Sequence, residues 1–440
     1  MAARSALRSR LVPLATLLLI GVLAGLVWGG MGDESPAGRL RAYLSLGGSF
    51  VSFLLALCAI FLPPRLAADL DSGRLTQVVT GPLPRWQLLV AWWLGTSAVL
   101  AALAVLGYAL LGFGAEAVLR LSGDDAQAQK SLRENVLSAR SVARADVPTT
   151  DDFEERAQAR YQALLASGKL PPDLDEEEAL GRLRSTFELE ARSLGPRQGK
   201  SWSVPDANFG GTDQLVLGFK FNASWPKFIA ANLRAVPLRI TVSAGGKQLW
   251  VEPPNLYKPT SPFALTVPAE LVAGHETLEV SIENLSSRGA TLVFPREGPK
   301  FLYPAGGFAR NLARAAWVEV CRLFFLVAIG VIMASLFDGK LATLAVLWVV
   351  ALGYGQGFLD DSLRPGLFGA ADQVILPLLR AVLWVIPDLG RAELGAALAG
   401  GEAVRPVWLI GSAQDLFLRT PVLLALGAFF FGRRELGANL

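Results

Sequence analysis

Arg65-Leu-Ala-Ala-Asp69-Leu-Asp71-Ser-Gly73-Arg74-Leu-Thr-Gln-Val-Val-Thr-Gly81-Pro82-Leu-Pro84-Arg85-Trp86 is a charged, turn-punctuated connector wedged between two apolar runs. The run before it, Tyr43 to Leu62, carries no charge, and neither does the longer run after it, Leu88 to Phe113. Each reaches the ~20 residues that a membrane-spanning helix needs. The fold class follows from this reading: helices that cross a lipid bilayer, joined here by a short loop over residues 64–87.

Composition agrees. The chain has 440 residues, of which 52% are hydrophobic and 18% charged, and its mean hydropathy is +0.40. It is too apolar for an ordinary soluble enzyme and too charged to lie wholly in lipid, so it is expected to be part membrane and part water-soluble. The net charge of +3 is small and its basic residues are scattered, which argues against a nucleic-acid partner. Cys58 and Cys321 both fall inside apolar runs, leaving the soluble part without a thiol for a disulfide or a cysteine metal site. His275 is the only histidine and has no partner for zinc or triad chemistry. No metal and no cofactor is expected.

The first apolar run, Leu11 to Gly30, follows Arg4, Arg8 and Arg10 and reads as an uncleaved first helix. Basic residues favour the cytoplasmic side, so Gly32 to Arg41 is expected outside, residues 64–87 inside, and the third helix leads out again. After the insert described next, Trp317 to Phe337 reads as the fourth helix, Asp338-Gly-Lys340 as an inside turn and Leu341 to Phe358 as the fifth helix. The segment 371–387 contains Pro377 and Arg380 and is too short to span, so it reads as a re-entrant or surface-lying outer helix. A Gly-rich loop and a sixth helix, Trp408 to Phe431, complete the chain, with Arg433 and Arg434 inside. Domain limits follow: 1–115 for helices 1–3, 116–200 and 201–310 for an inserted extracytoplasmic domain, and 311–440 for helices 4–6. Both termini are placed in the cytoplasm, and the membrane is taken to be the inner (cytoplasmic) one.

The insert has two parts. Gly123 to Leu194 has helical spacing broken by Pro148 and Pro171-Pro172, which fits two or three amphipathic helices. Trp202 to Phe294 alternates with period two: Leu215, Leu217, Phe219 and Phe221 share a face, as do Leu238, Ile240 and Val242, then Phe263, Leu265 and Val267, then Leu278, Val280 and Ile282. Gly245-Gly246 reads as a hairpin turn, and the whole as a small β-sandwich, giving an α+β insert.

Few motifs carry chemistry. Gly195-Pro-Arg-Gln-Gly199-Lys200-Ser201 is one residue short of a phosphate-binding loop and follows a helix rather than a strand, so no ATPase is encoded there. The sequons at Asn222 and Asn284 fall in or beside strands and receive no functional weight. Glu319 and Arg322 are placed near the outer end of the fourth helix, where long side chains reach water. Asp415 and Arg419 are spaced i to i+4 on the sixth helix and form a candidate intramembrane polar pair, functional or structural.

The connector carries a family resemblance. Asp71-Ser-Gly73-Arg74-Leu75-Thr76-Gln77-Val78-Val79 and Pro82-Leu83-Pro84-Arg85 resemble the coupling-helix loop of permease subunits of ABC transporters of the second, exporter type. Asp69 or Asp71 stands where that family carries glutamate, and Pro84 where it carries serine. Six helices, Ile386-Pro387-Asp388-Leu389 before the last of them, and the terminal Phe431-Gly-Arg433-Arg434-Glu435-Leu436 agree with the likeness, which covers the membrane part alone.

The resemblance implies a non-enzymatic permease that exports a substrate with a separate ABC ATPase subunit, paired with a second permease copy or paralogue as a dimer. Asp69, Asp71, Gly73, Arg74, Pro82, Pro84 and Arg85 would then form the ATPase-coupling surface. Membrane lipid is a further expected partner; the insert is unusual for the family, so the extracytoplasmic protein partner expected for it does not come from the resemblance. The alternative, from a different class, is a membrane-anchored binding or assembly protein whose outer domain recognises a protein or glycan. A plain connecting loop is the competing reading of residues 65–86.

Overall fold

The computed structural model describes residues 6–7, 9–29, 35–71, 84–121, 129–130, 132–133, 136–146, 150–168, 176–205, 209, 214–226, 235–259, 263–295, 298–356, 359, 363, 372–386, 388–390 and 393–433. The chain divides into two compact units, Met1–Ala139 with Gly306–Leu440, and Arg140–Ala305.

The first unit is helical. It contains α1 (Leu11–Trp28), α2 (Pro36–Phe61), the short α3 (Arg65–Asp71) and α4 (Arg85–Leu121) before the insert. Ser35 starts α2, its Oγ accepting from the Gly38 N–H at 3.0 Å with Pro36 in the first turn, so cap and proline fix where the helix begins. Among the described residues five helices are long and apolar enough to cross a membrane, three of them before the insert and two after it. The later pair are the strand-following helix Phe308–Leu336 and the last helix Pro406–Arg433. The expected fifth span, Leu341 to Phe358, is a helix over Gly339–Tyr354. Its 16 residues reach ~24 Å, short of the ~30 Å hydrocarbon core.

In the second unit, Ser138–Arg144 is β1, where helical spacing was expected. Two helices follow, α5 (Thr150–Ala166) and α6 (Glu176–Arg192), which pack on each other with Arg184 bonded to Glu154 at 3.0 Å and Arg156 over the Phe187 ring. The strands are β2 (Ser193–Leu194), β3 (Gly199–Val204), β4 (Gln214–Phe219), β5 (Asn222–Ser224), β6 (Val236–Ala244), β7 (Lys247–Tyr257), β8 (Phe263–Pro268), β9 (Leu278–Asn284), β10 (Thr291–Val293) and β11 (Lys300–Gly307), with one helical turn, α7 (Ala269–Val272), after β8. They form three sheets, ordered β1-β11-β4-β8, β2-β10-β5 and β3-β9-β6-β7. The alternation of the sequence is realised: Leu215, Leu217, Phe219, Leu238, Ile240, Val242, Leu278, Val280 and Ile282 all bury into one core with Trp202, Phe221 and Phe294. Gly245 and Gly246 both adopt positive φ, as the two-residue β6–β7 turn demands.

The insert carries α5 and α6 before residue 200, where its helical part was expected, but β1, β2 and the start of β3 also fall there. Its first strand, β1, lies beside its last, β11, so the chain enters and leaves the unit on neighbouring strands and the two helices are an excursion between β1 and β2. The helical unit also reaches further than residue 115: α4 continues to Leu121, and Val136 belongs to the apolar core of that unit.

After the insert come α8 (Phe308–Leu336), α9 (Gly339–Tyr354), α10 (Asp372–Val385), α11 (Leu394–Ala399) and α12 (Pro406–Arg433). Most of the apolar window of α8 is buried, against α2, α4, α9 and α12, making it the central helix. α10 falls in the expected outer segment and contains Pro377. α11 lies in what reads as a Gly-rich loop, and Gly395 explains it: a Cβ there would stand 2.7 Å from the Ser45 carbonyl of α2. Gly48 faces it from α2, where a Cβ would meet the Gly395 Cα at 2.7 Å, so paired glycines let the two backbones touch.

Candidate functional site

Of the coupling residues named from the sequence, Asp69, Pro84 and Arg85 are described with their side chains. Asp71 closes α3, its side chain lying outside the described residues, as do Gly73, Arg74 and Pro82 altogether. Pro63 and Pro64 stop α2, and α3 follows with Leu66 and Ala67 buried at 0% and 1% exposure and Asp69 half-buried. This is a docked helix, not the freely solvated loop that the charges alone would give.

Its dock is the α8–α9 turn. Gly330 of α8 leaves room for Pro63, whose Cβ would lie 2.7 Å from any Cβ at that glycine, and Gly339 lies against the Pro64 carbonyl. Asp338 caps α9, its carboxylate accepting from the N–H groups of Lys340 at 3.0 Å and Leu341 at 2.9 Å, which holds the turn. On the far side of the connector, Pro84 precedes α4 and Arg85 donates to the carbonyls of Phe431 at 3.5 Å and Gly432 at 3.3 Å. Those carbonyls lie in the last turn of the described α12, where a cation complements the helix dipole. α3, Arg85, the turn Asp338-Gly-Lys340 and the end of α12 therefore lie at one end of the helical unit.

A second polar group lies within the helices. Asp415 and Arg419 form the anticipated ion pair at 2.9 Å, in a π-helical turn, Asp415–Arg419, whose wider pitch lets Thr420 Oγ1 donate to the Asp415 carbonyl at 2.9 Å. Arg419 also sits over the Trp384 ring of α10, 5.0 Å from its centre. Glu319 departs from its sequence reading. Because α8 begins at Phe308, Glu319 lies ~16 Å along the helix rather than at its end. It is 4% exposed and accepts a 2.9 Å hydrogen bond from Ser52 Oγ of α2. Arg322 acts electrostatically on both Glu319 and Asp415. The signal available in sequence was the stretch before Glu319, Phe308 to Val318, whose alanines, arginines and leucine are good helix formers and extend the helix toward the insert.

In the sheet-rich unit the near-miss phosphate loop is a strand connection: Arg197 adopts φ 60° and Lys200 already belongs to β3. Burial pushes the Lys200 ammonium below its usual range, and it donates to the Ala191 carbonyl at the end of α6. Asn284 is fully buried, with its Nδ2 donating to the carbonyls of Gly195 at 3.0 Å and Ala290 at 2.8 Å. Among the described residues no three His, Cys, Asp or Glu side chains come together as metal ligands. No known family profile, curated protein or solved structure matches this chain.

Proposed function

We propose that the chain is the permease subunit of an ATP-driven exporter of the ABC type, working as a dimer with a separate ATPase that docks on the connector between α2 and α4. The observation that carries this reading is the attachment of that connector. A loop transmits force from a soluble motor only if it is stiff, and α3 is clamped to the α8–α9 turn while Arg85 is tied to the end of α12. A push on α3 and Arg85 is thereby delivered to α2, α4, α8, α9 and α12 together. In this reading the connector faces the cytoplasm, the unit Arg140–Ala305 faces the opposite side of the inner membrane, and α9 and α10 complete the membrane part.

A membrane-anchored binding or assembly protein is the competing reading, favoured by the separate apolar core of Arg140–Ala305. One span would suffice for an anchor, whereas five helices here have membrane-spanning length. The two readings part in one experiment. Full-length protein, affinity-purified in mild detergent from its native membranes, should carry a Walker-motif ATPase identifiable by mass spectrometry, together with Mg-dependent ATP hydrolysis. Asp69→Arg should weaken that association by tenfold or more, since loss of one partner of an interface charge pair costs roughly 2–5 kcal/mol. Glu279→Arg in β9 should leave it unchanged. Wild-type association in the Asp69 variant would return the connector to a plain loop and favour the anchored binder.

A further inference from the structure

Glu319 and Asp415 are two carboxylates of the same helical unit with opposite surroundings. Asp415 has a guanidinium at 2.9 Å. Glu319 has no contacting guanidinium among the described residues: the hydrogen bond it accepts comes from the neutral Ser52 hydroxyl, Arg322 of its own helix acts on it through space, and just 4% of the residue is exposed. An ionised carboxylate held away from water without a contacting cation costs far more than a hydroxyl returns, and within a membrane the cost is larger still. From α2 Glu319 meets Ser52, from α4 Tyr108, from its own helix Arg322 through space, and from α9 Tyr354 more remotely, with Asp415 of α12 beyond Arg322.

Tyr108 gives the second, independent observation. Its hydroxyl is enclosed, 2% of the residue being exposed, and makes no hydrogen bond of ordinary geometry although it faces Ser52. A buried hydroxyl without a partner is uncommon and costs free energy, so its placement beside a second hydroxyl that already bonds a carboxyl calls for a reason. Rotation of the Ser52 hydroxyl would join Tyr108, Ser52 and Glu319 into one chain of exchangeable protons running from α4 through α2 to α8.

We propose that Glu319 is an intramembrane proton-binding site, holding a proton on its carboxyl in the conformation described and exchanging it through the hydroxyls of Ser52 and Tyr108. No bond other than O–H is made or broken: the proton that leaves the Glu319 carboxyl passes to Ser52 Oγ as the Ser52 proton moves to Tyr108 Oη and the Tyr108 proton leaves for a solvent water, so that Ser52 and Tyr108 each keep one proton. The site does not depend on the permease reading, since an ATPase partner enters nowhere in the argument.

Infrared difference spectroscopy of the full-length protein in lipid tests it directly. Wild type minus Glu319→Gln at neutral pH should show the carbonyl stretch of a protonated carboxylic acid, shifting downward after transfer to D2O, and lacking in the variant. Asp415→Asn should leave that band in place, and the paired Ser52→Ala, Tyr108→Phe variant should slow its shift in D2O. Should Glu319→Gln not fold, Glu319→Asp moves the same band and serves instead. Carboxylate stretches in the difference spectrum, without the acid band, would overturn the proposal. An acid band that never shifts in D2O would overturn the exchange path.

Discussion

Asn284 shows how one polar side chain fixes the sheet-rich unit at the residue scale. Its amide donates to the carbonyls of Gly195 and Ala290, and its Oδ1 accepts from the Ser286 N–H at 3.0 Å, so it joins the end of β9 to the β2–β3 connection and to the start of β10. Alanine would leave the buried Ala290 carbonyl and Ser286 N–H without this partner, while the half-buried Gly195 carbonyl would keep the Gln198 N–H. At ~1–3 kcal/mol for each group left unsatisfied, partly relieved by relaxation, Asn284→Ala is expected to cost about 3 kcal/mol. The expressed unit 140–305 should melt cooperatively, and the variant's midpoint should lie roughly 6–12 °C lower by calorimetry. An unchanged midpoint would mean that water replaces the amide. The sequence displayed Asn284 only as a sequon beside a strand. That its side chain points inward depends on the register of β9 against β3 and β6, which no local pattern contains. Glu319 was hidden for the reverse reason: depth in a helix is counted from the helix start, and that start lies in the small, weakly apolar stretch after β11.

Among the elements, α11 illustrates where period and composition fail. A six-residue helix inside a glycine-rich stretch has too few turns to display a period, and it is held by contact with α2 rather than by propensity. Valine at 395 would drive side-chain atoms into the Ser45 carbonyl and the Ser49 N–H of α2, 2.7 and 2.9 Å from the Cβ position. Such overpacking costs ~1–3 kcal/mol or more. Gly395→Val should therefore lower the thermal midpoint of the detergent-solubilised protein, while Gly25→Ala, with nothing within 4 Å of its Cβ position, should not lower it. Equal midpoints for the two variants would show that α11 does not need the close approach. The long apolar helices and the alternating strands were legible because each repeats its period several times. β1 was not: Ser138-Ala-Arg-Ser-Val-Ala-Arg144 carries charge and small residues in no strict alternation, and it becomes a strand by pairing with β11, far away in sequence.

Across the whole molecule, two units with separate apolar cores were anticipated from the shift in hydropathy, whereas their limits were not, because the boundaries are set by strand pairing and helix extension. The proposed function requires these units to be used from opposite sides of the membrane. An ATPase can reach α3 only from the cytoplasm, and three membrane-length helices precede β1, so the sheet-rich unit must then face away. Labelling with a membrane-impermeant maleimide reads this out. Ser287→Cys and Ala68→Cys place single thiols on exposed positions of the β9–β10 connection and of α3, and the wild type, whose Cys58 and Cys321 are both buried, supplies the blank. The account predicts that Ser287→Cys labels in right-side-out membrane vesicles and Ala68→Cys only in inverted ones; labelling of Ala68→Cys in right-side-out vesicles would put the connector out of reach of any cytoplasmic ATPase and contradict it.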